Sequence, residues 1–242
     1  MAGKKKTYVA ADEKTKAAAE YVKQNMKEAA PVGNATGYRI GAVVCWIIAF
    51  ALQICAFLVL GGKLDLKFMP ALYQMVAFLV LDLIMVIVGA QLWKKANHID
   101  PVSEANKTKF WLWNNMGVIV CAVCFVPFII LALLNKDADK KTKTVAVVVA
   151  AIALALGGLF SYDFNPVSSE QKEAAVAALG DETVFWSPFG KVYHTHDDCS
   201  HLNQSEQLTY GTVAEAIAAG RTRLCSTCAK KDNITTVVTD GE

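Results

Sequence analysis

The chain contains a long apolar stretch, IGAVVCWIIAFALQICAFLVL at residues 40–60, in which none of the 21 side chains is charged. At about 1.5 Å per residue, a helix of this length crosses a hydrocarbon core of about 30 Å. A helix on the surface of a soluble protein would carry polar residues on one face at a period of 3.6, and this stretch has no such face. The stretch therefore predicts a membrane-spanning helix.

Three further apolar runs follow, each long enough to cross a bilayer: 69–93, 110–134 and 144–162. Aromatic side chains, which favour the membrane–water interface, lie near the run ends at Trp93, Trp111, Trp113 and Tyr162. Four crossings place the two termini on the same side of the membrane. The pattern predicts a mainly α protein with four transmembrane helices over residues 40–162 and the lipid bilayer as its partner.

The composition agrees with a membrane protein and excludes two other classes. Hydrophobic residues make up 54% of the 242 residues, charged residues make up 19%, and the mean hydropathy is +0.33. An ordinary soluble globule is more polar, and a disordered chain carries far fewer aliphatic and aromatic side chains. The net charge of +2 is too small to indicate a nucleic-acid-binding protein.

The N-terminal tail, residues 1–39, is polar and basic, with eight lysine and arginine residues. Its part rich in Ala, Lys and Glu, 12–30, predicts a helix that ends before Pro31. Because positive residues accumulate on cytoplasmic segments, the tail favours cytoplasmic termini on a multi-pass protein of the cell membrane. Four lysines just before the fourth run, with only Lys172 soon after it, favour the opposite side for the C-terminus. That alternative remains open.

A helical connector over residues 163–180 links the fourth run to a polar C-terminal module. Ser168 and Gln171 have the spacing of a capping box, and Gly180 is a typical helix stop. Residues 181–232 form the small module, and 233–242 form a tail. About fifty residues bury too little apolar surface to be stable alone, so the module needs a further source of folding free energy.

The module concentrates the residue types that bind zinc. Three of the four histidines lie in His194-Thr-His-Asp-Asp-Cys-Ser-His201, and Cys225 and Cys228 follow as a Cys-x-x-Cys pair. Zinc takes four thiolate or imidazole ligands in a tetrahedron, and its binding would supply the missing free energy. The alternatives are a redox-active pair, or a disulfide between Cys225 and Cys228 if the tail is extracytoplasmic.

Two ligand arms joined by a helix are predicted around these residues. Residues 184–186 and 191–194 flank Ser-Pro-Phe-Gly, which favours a type I turn between two strands. Thr212 and Glu215 form a second capping box, and Gly220 ends that helix. The predicted fold class is thus a four-helix transmembrane bundle with a small α+β zinc-binding C-terminal domain.

Six residues compete for the four ligand positions. Cys199, Cys225 and Cys228 are the three expected sulfur ligands. His194 ends a strand and reaches back towards Cys199, so it is the preferred fourth ligand, with His196 as the alternative. His201, just past Cys199, is expected to point elsewhere.

These motifs resemble the metal-binding fold of the Ada DNA-methylphosphotriester repair domain. More closely, they resemble small Ada-like zinc modules at the ends of many uncharacterised bacterial proteins. The resemblance covers about residues 184–230 and is carried by Val192-Tyr-His194, Cys199, Ala216-Ile-Ala-Ala-Gly-Arg221 and Cys225-Ser-Thr-Cys228. It implies the metal fold without implying a function.

The resemblance does not extend to DNA repair. In the Ada domain all four ligands are cysteines and the first accepts the methyl group, whereas His194 stands at the matching position here. Residues 181–232 carry a net charge of −2, which disfavours binding to a phosphate backbone. Nucleic acid is therefore not expected as a partner.

Two polar residues interrupt the apolar runs near their centres. Asp82 lies in the second run and Gln53 in the first, where Gln53 is a candidate partner for the carboxyl group. A carboxylate in the bilayer core costs several kcal/mol unless it is protonated or paired, so Asp82 marks a candidate proton or cation pathway. The alternative is a protonated Asp82 that bridges two helices.

The sequence favours a non-enzymatic membrane protein whose structural zinc module is a binding or regulatory platform for a protein partner. A transporter or sensor with Asp82 in its pathway and the zinc module as regulator is the alternative. A zinc-dependent enzyme or alkyl acceptor is disfavoured, because four protein ligands leave no open coordination position on the ion.

Overall fold

The computed structural model describes residues 26–28, 32–136, 138–180 and 182–239. The chain divides into two compact units. The helical unit comprises residues 33–172, and the mixed unit combines the described residues before it with residues 173–239. Helices dominate, which confirms the predicted mainly α fold class.

The helical unit contains α1 (Ala35–Leu60), α2 (Ala71–Ile99), α3 (Lys107–Asn114), α4 (Met116–Leu134) and α5 (Lys140–Ser161). Among the described residues, four helices are long and apolar enough to cross a membrane, namely α1, α2, α4 and α5, here called the span helices. The helix α6 (Ser169–Leu179) follows them. The predicted capping box at its start is present, because Gln171 N donates to Ser168 Oγ and Ser168 N donates to Gln171 Oε1.

The span helices extend beyond the apolar runs that predicted them. The first begins at Ala35 rather than at residue 40, because the side chain of Asn34 accepts from the backbone N–H groups of Thr36 and Gly37. The second continues to Ile99 through polar residues. An apolar run marks only the part of a helix that fits the hydrocarbon core, so the capped polar ends lie outside it.

The predicted third span, about 110–134, contains two helices in the structure, which meet at Asn115. The side-chain amide of Asn115 donates to the carbonyl of Trp111 at 3.0 Å. Asn side chains compete in this way for backbone groups, which weakens a helix interior. The segment that is long enough to cross therefore begins only at Met116.

The interior of the helical unit combines small side chains with a few large ones such as Phe125 and Met75, while many other large apolar side chains lie on its surface. Each of the four span helices contributes fully buried alanines, including Ala56, Ala96, Ala132 and Ala150. Ile47, Leu133 and Ile152 are each more than half exposed. Such a distribution suits a lipid environment, where small residues let helices approach and the apolar surface faces acyl chains.

The mixed unit is built from five short strands: β1 (Met26–Glu28), β2 (Val184–Trp186), β3 (Val192–Tyr193), β4 (Leu208–Gly211) and β5 (Arg223–Leu224). One sheet has the order β1-β4-β2, and β3 pairs in parallel with β5 in a second sheet. The helices α7 (Val213–Ala218) and α8 (Ser226–Asp232) complete the unit. The predicted capping box of Thr212 and Glu215 begins α7.

The strand β1 corrects the predicted N-terminal helix over 12–30. Met26–Glu28 pair in parallel with Leu208–Tyr210 of β4, so these three residues are extended rather than helical. The rest of that predicted helix lies outside the described residues. Because β1 and β4 share one sheet, segments from before and after the span helices meet in one unit, which is consistent with an even number of crossings.

Candidate metal centre

The first arm of the centre holds His194 by backbone hydrogen bonds. His194 and Phe185 form an antiparallel bridge in which each N–H donates to the other carbonyl, at 2.8 and 2.7 Å. The turn predicted between them is present, since Gly190 N donates to Ser187 O. The side chain of His194 is buried. A short hairpin-like arm thus fixes the imidazole at its end.

The second arm carries the cysteine pair at the start of α8. Cys225 is the residue that precedes this helix, and Cys228 lies in its first turn, so both sulfurs belong to one helix end. Cys225 N donates to Tyr193 O at 2.9 Å, which places the pair directly beside His194. The parallel pairing of β3 with β5 therefore brings the two arms together.

Cys199 completes the centre from the loop between the arms. It begins a single 3-10 turn, Ser200–Leu202, which Leu202 N closes by donating to Cys199 O. The ligand atoms of His194, Cys199, Cys225 and Cys228 all lie within 4.8 Å of one another. All four residues are buried. The structure thus brings together the four residues that the sequence preferred.

Two distances between these ligand atoms match the edges of a tetrahedral zinc site. Cys199 Sγ and Cys225 Sγ are 3.9 Å apart, and Cys228 Sγ is 3.7 Å from His194 Nδ1. A tetrahedron with zinc–sulfur bonds of about 2.3 Å has edges of about 3.8 Å. Three sulfurs and one imidazole nitrogen are also the donor types that such sites use. The cluster can therefore hold a metal ion.

The three cysteines of the cluster form no disulfide in this fold, and the surroundings of Cys199 disfavour its thiolate. The distance of 3.9 Å between Cys199 and Cys225 is far longer than a disulfide bond of about 2.05 Å. Burial raises the pKa of the Cys199 thiol to about 12, and the neighbouring Cys228 adds to the rise. A bound cation would reverse this balance, because metal ligation deprotonates a coordinating thiol.

The other two histidines of the motif lie outside the cluster. His196 Nε2 is 2.6 Å from Asp232 Oδ1, and His201 Nε2 is 3.1 Å from Thr227 Oγ1. The pairing with Asp232 was not predicted, because nothing in its sequence surroundings connects it with a histidine 36 positions earlier.

The intramembrane pair proposed from the sequence does not form. Asp82 is fully buried, and within the part of the chain that the structure describes neither of its oxygens has a hydrogen-bond partner. Gln53 instead donates to the carbonyl of Cys124 at 3.1 Å, in the turn before Pro127. The carbonyl of Cys124 can accept this bond because a backbone carbonyl oxygen has two lone pairs.

No protein-family model, no curated protein and no solved structure matches the chain.

Proposed function

We propose that the protein is a multi-pass membrane protein that carries a structural zinc module on its mixed unit. The observation that carries the proposal is the convergence of His194, Cys199, Cys225 and Cys228 within 4.8 Å in a buried setting. Three sulfurs and one nitrogen are typical of structural zinc sites. The resemblance of this region to Ada-like modules supports the same assignment.

The site supports a structural role rather than catalysis. Four protein ligands satisfy the tetrahedral coordination of zinc and leave no position for a substrate or an activated water molecule. The imidazole of His194 stands where an alkyl acceptor would need a thiolate. We therefore propose a non-enzymatic platform, held at the cytoplasmic face of the membrane, that binds or regulates a protein partner.

Removal of the metal tests the structural role. Chelation of zinc from the full-length protein in detergent should abolish amide protection in residues 184–232 and leave protection in α1 and α2, because metal binding is folding free energy for the module alone. Retained protection in the chelated module would contradict a structural zinc site.

A second function is favoured by one observation, the buried Asp82 with no hydrogen-bond partner in the described residues. An intramembrane acid of this kind is typical of proton or cation pathways, with the zinc module as regulator. In proteoliposomes, Asp82→Asn should abolish a proton flux that the wild type shows. If wild type and variant give the same flux, Asp82 is a structural group only.

A further inference from the structure

We propose that Asp232 is a positioning residue of the metal centre and that it selects His194 over His196 as the ligand. This inference rests on the proposed zinc site. Asp232 is the last residue of α8, the helix that also carries Cys228. Residues four apart lie on the same helix face, so Asp232 stands one turn beyond Cys228 on the side of the centre.

One carboxylate joins the two arms of the centre. Asp232 Oδ1 accepts from His196 Nε2 at 2.6 Å, and Asp232 Oδ2 accepts from Thr195 Oγ1 at 2.5 Å. Thr195 and His196 directly follow His194. The carboxylate therefore ties the segment after His194 to the helix that presents the cysteine pair.

The same contact keeps the competing histidine away from the ion. The Nε2 atom of His196 is occupied by Asp232, while Nδ1 of His194 lies 3.7 Å from Cys228 Sγ. The side chains of His196 and Asp232 are partly exposed, at 30% and 26%. Asp232 therefore acts through the chain segment that follows His194, by hydrogen bonds to Thr195 and His196.

The structure offers a matched control in the same region. Asp198 pairs with Lys231 at 3.7 Å, and both side chains are about half exposed, at 47% and 56%. It is an acid in the same loop region that contacts the same helix. Unlike Asp232, Asp198 forms an exposed ion pair, which contributes little to folding stability.

The test is the rate at which full-length protein in detergent releases zinc to an excess of a colorimetric chelator. Asp232→Ala should release zinc about tenfold faster than wild type, because the two hydrogen bonds that tie the arms together are lost. Asp198→Ala should match wild type. Asp232→Asn should restore slow release, because its amide can still accept from Thr195 and bond to His196.

Cobalt substitution separates positioning from general stability. The absorption bands of bound cobalt report ligand geometry, so they should shift in Asp232→Ala and stay unchanged in Asp198→Ala. If Asp232→Ala fails to fold, Thr195→Val and His196→Ala each remove one of the two hydrogen bonds, and each should accelerate release.

Two negative results are distinguishable. Zinc-loaded wild type with equal release rates in Asp232→Ala and Asp198→Ala would overturn the positioning role and leave the zinc site standing. A wild type that binds no zinc would overturn the proposed zinc module itself, and the role of Asp232 with it.

Discussion

His194, the candidate ligand, is buried, whereas His196 and His201 are not. His194 is 3% exposed and shares a backbone bridge with Phe185, whereas His196 and His201 bond to hydroxyl or carboxylate groups at the surface. Spacing alone identified the three cysteines, because a Cys-x-x-Cys pair and a third sulfur leave few alternatives. His194 could be preferred over His196 because the sequence predicts a strand that ends at His194. No sequence signal pointed to the contact between Asp232 and His196.

Cys225 and His201 form a pair of tests at this centre. Cys225→Ser should reduce the zinc content of the purified protein to background, because a serine hydroxyl does not replace a buried thiolate ligand. His201→Ala should keep its zinc, since its hydrogen bond to Thr227 is exposed and worth about 1 kcal/mol at most. Metal analysis of the two purified variants tests both expectations. Zinc loss in His201→Ala but not in Cys225→Ser would show that the proposed ligand set is wrong.

The span helices could be predicted because an uncharged apolar run of about 20 residues is typical of a membrane-spanning helix and rare elsewhere. Their ends could not be predicted equally well, since caps such as Asn34 add polar turns outside the run. The break at Asn115 depends on a side chain that turns back to Trp111. The candidate contact between Gln53 and Asp82 is not formed, because packing sets the rotation of each helix about its axis and so decides which side chains face each other.

Gly157 and Gly158 are adjacent glycines on α5 that have different surroundings. A Cβ atom added at Gly157 would lie 2.6 Å from Cys121 Sγ and 3.1 Å from Leu83 Cδ1. A Cβ atom added at Gly158 would have no neighbouring atom within 4 Å outside its own helix backbone. Gly157→Val should therefore destabilise the helical unit by about 1–3 kcal/mol, the usual cost of overpacking.

Gly158→Val is the matched control, since it has the same change in size and helix propensity on the same helix. Thermal unfolding in detergent should show a lower Tm for Gly157→Val only. Equal Tm values for the two variants would refute the close contact between α5 and Cys121.

The strand β1 is the element that sequence patterns could least reveal. Its three residues, Met-Lys-Glu, lack the alternation of a strand, and its partner β4 lies about 180 positions later in the chain. Such pairings arise from tertiary structure rather than local propensity. The local composition, rich in Ala, Lys and Glu, instead favoured a helix over these residues.

Replacement of Met26, Lys27 and Glu28 together by proline tests this pairing. Proline has no backbone N–H, so the ladder to β4 loses its donors from β1. Amide exchange in Leu208–Tyr210 should become about fivefold faster, as expected for the loss of about 1 kcal/mol of backbone hydrogen bonding. The matching triple alanine variant keeps the backbone donors and should exchange like wild type; equal protection in both variants would argue against β1.

The whole molecule combines a helical unit, whose four long helices are apolar enough to cross a membrane, with a small unit built from short elements. The helical unit buries its core among four span helices. The mixed unit has five strands of only two to four residues, which is too little regular structure to stabilise it without help. We therefore expect the fold of the mixed unit to depend on a metal ion at His194, Cys199, Cys225 and Cys228.

Metal content per chain is the most direct measurement of this dependence. Mass spectrometry of the purified full-length protein should find one zinc ion per chain in the wild type and none in a Cys225→Ser, Cys228→Ser double variant. A wild-type protein that is folded and contains no zinc or other metal would contradict a metal-stabilised module.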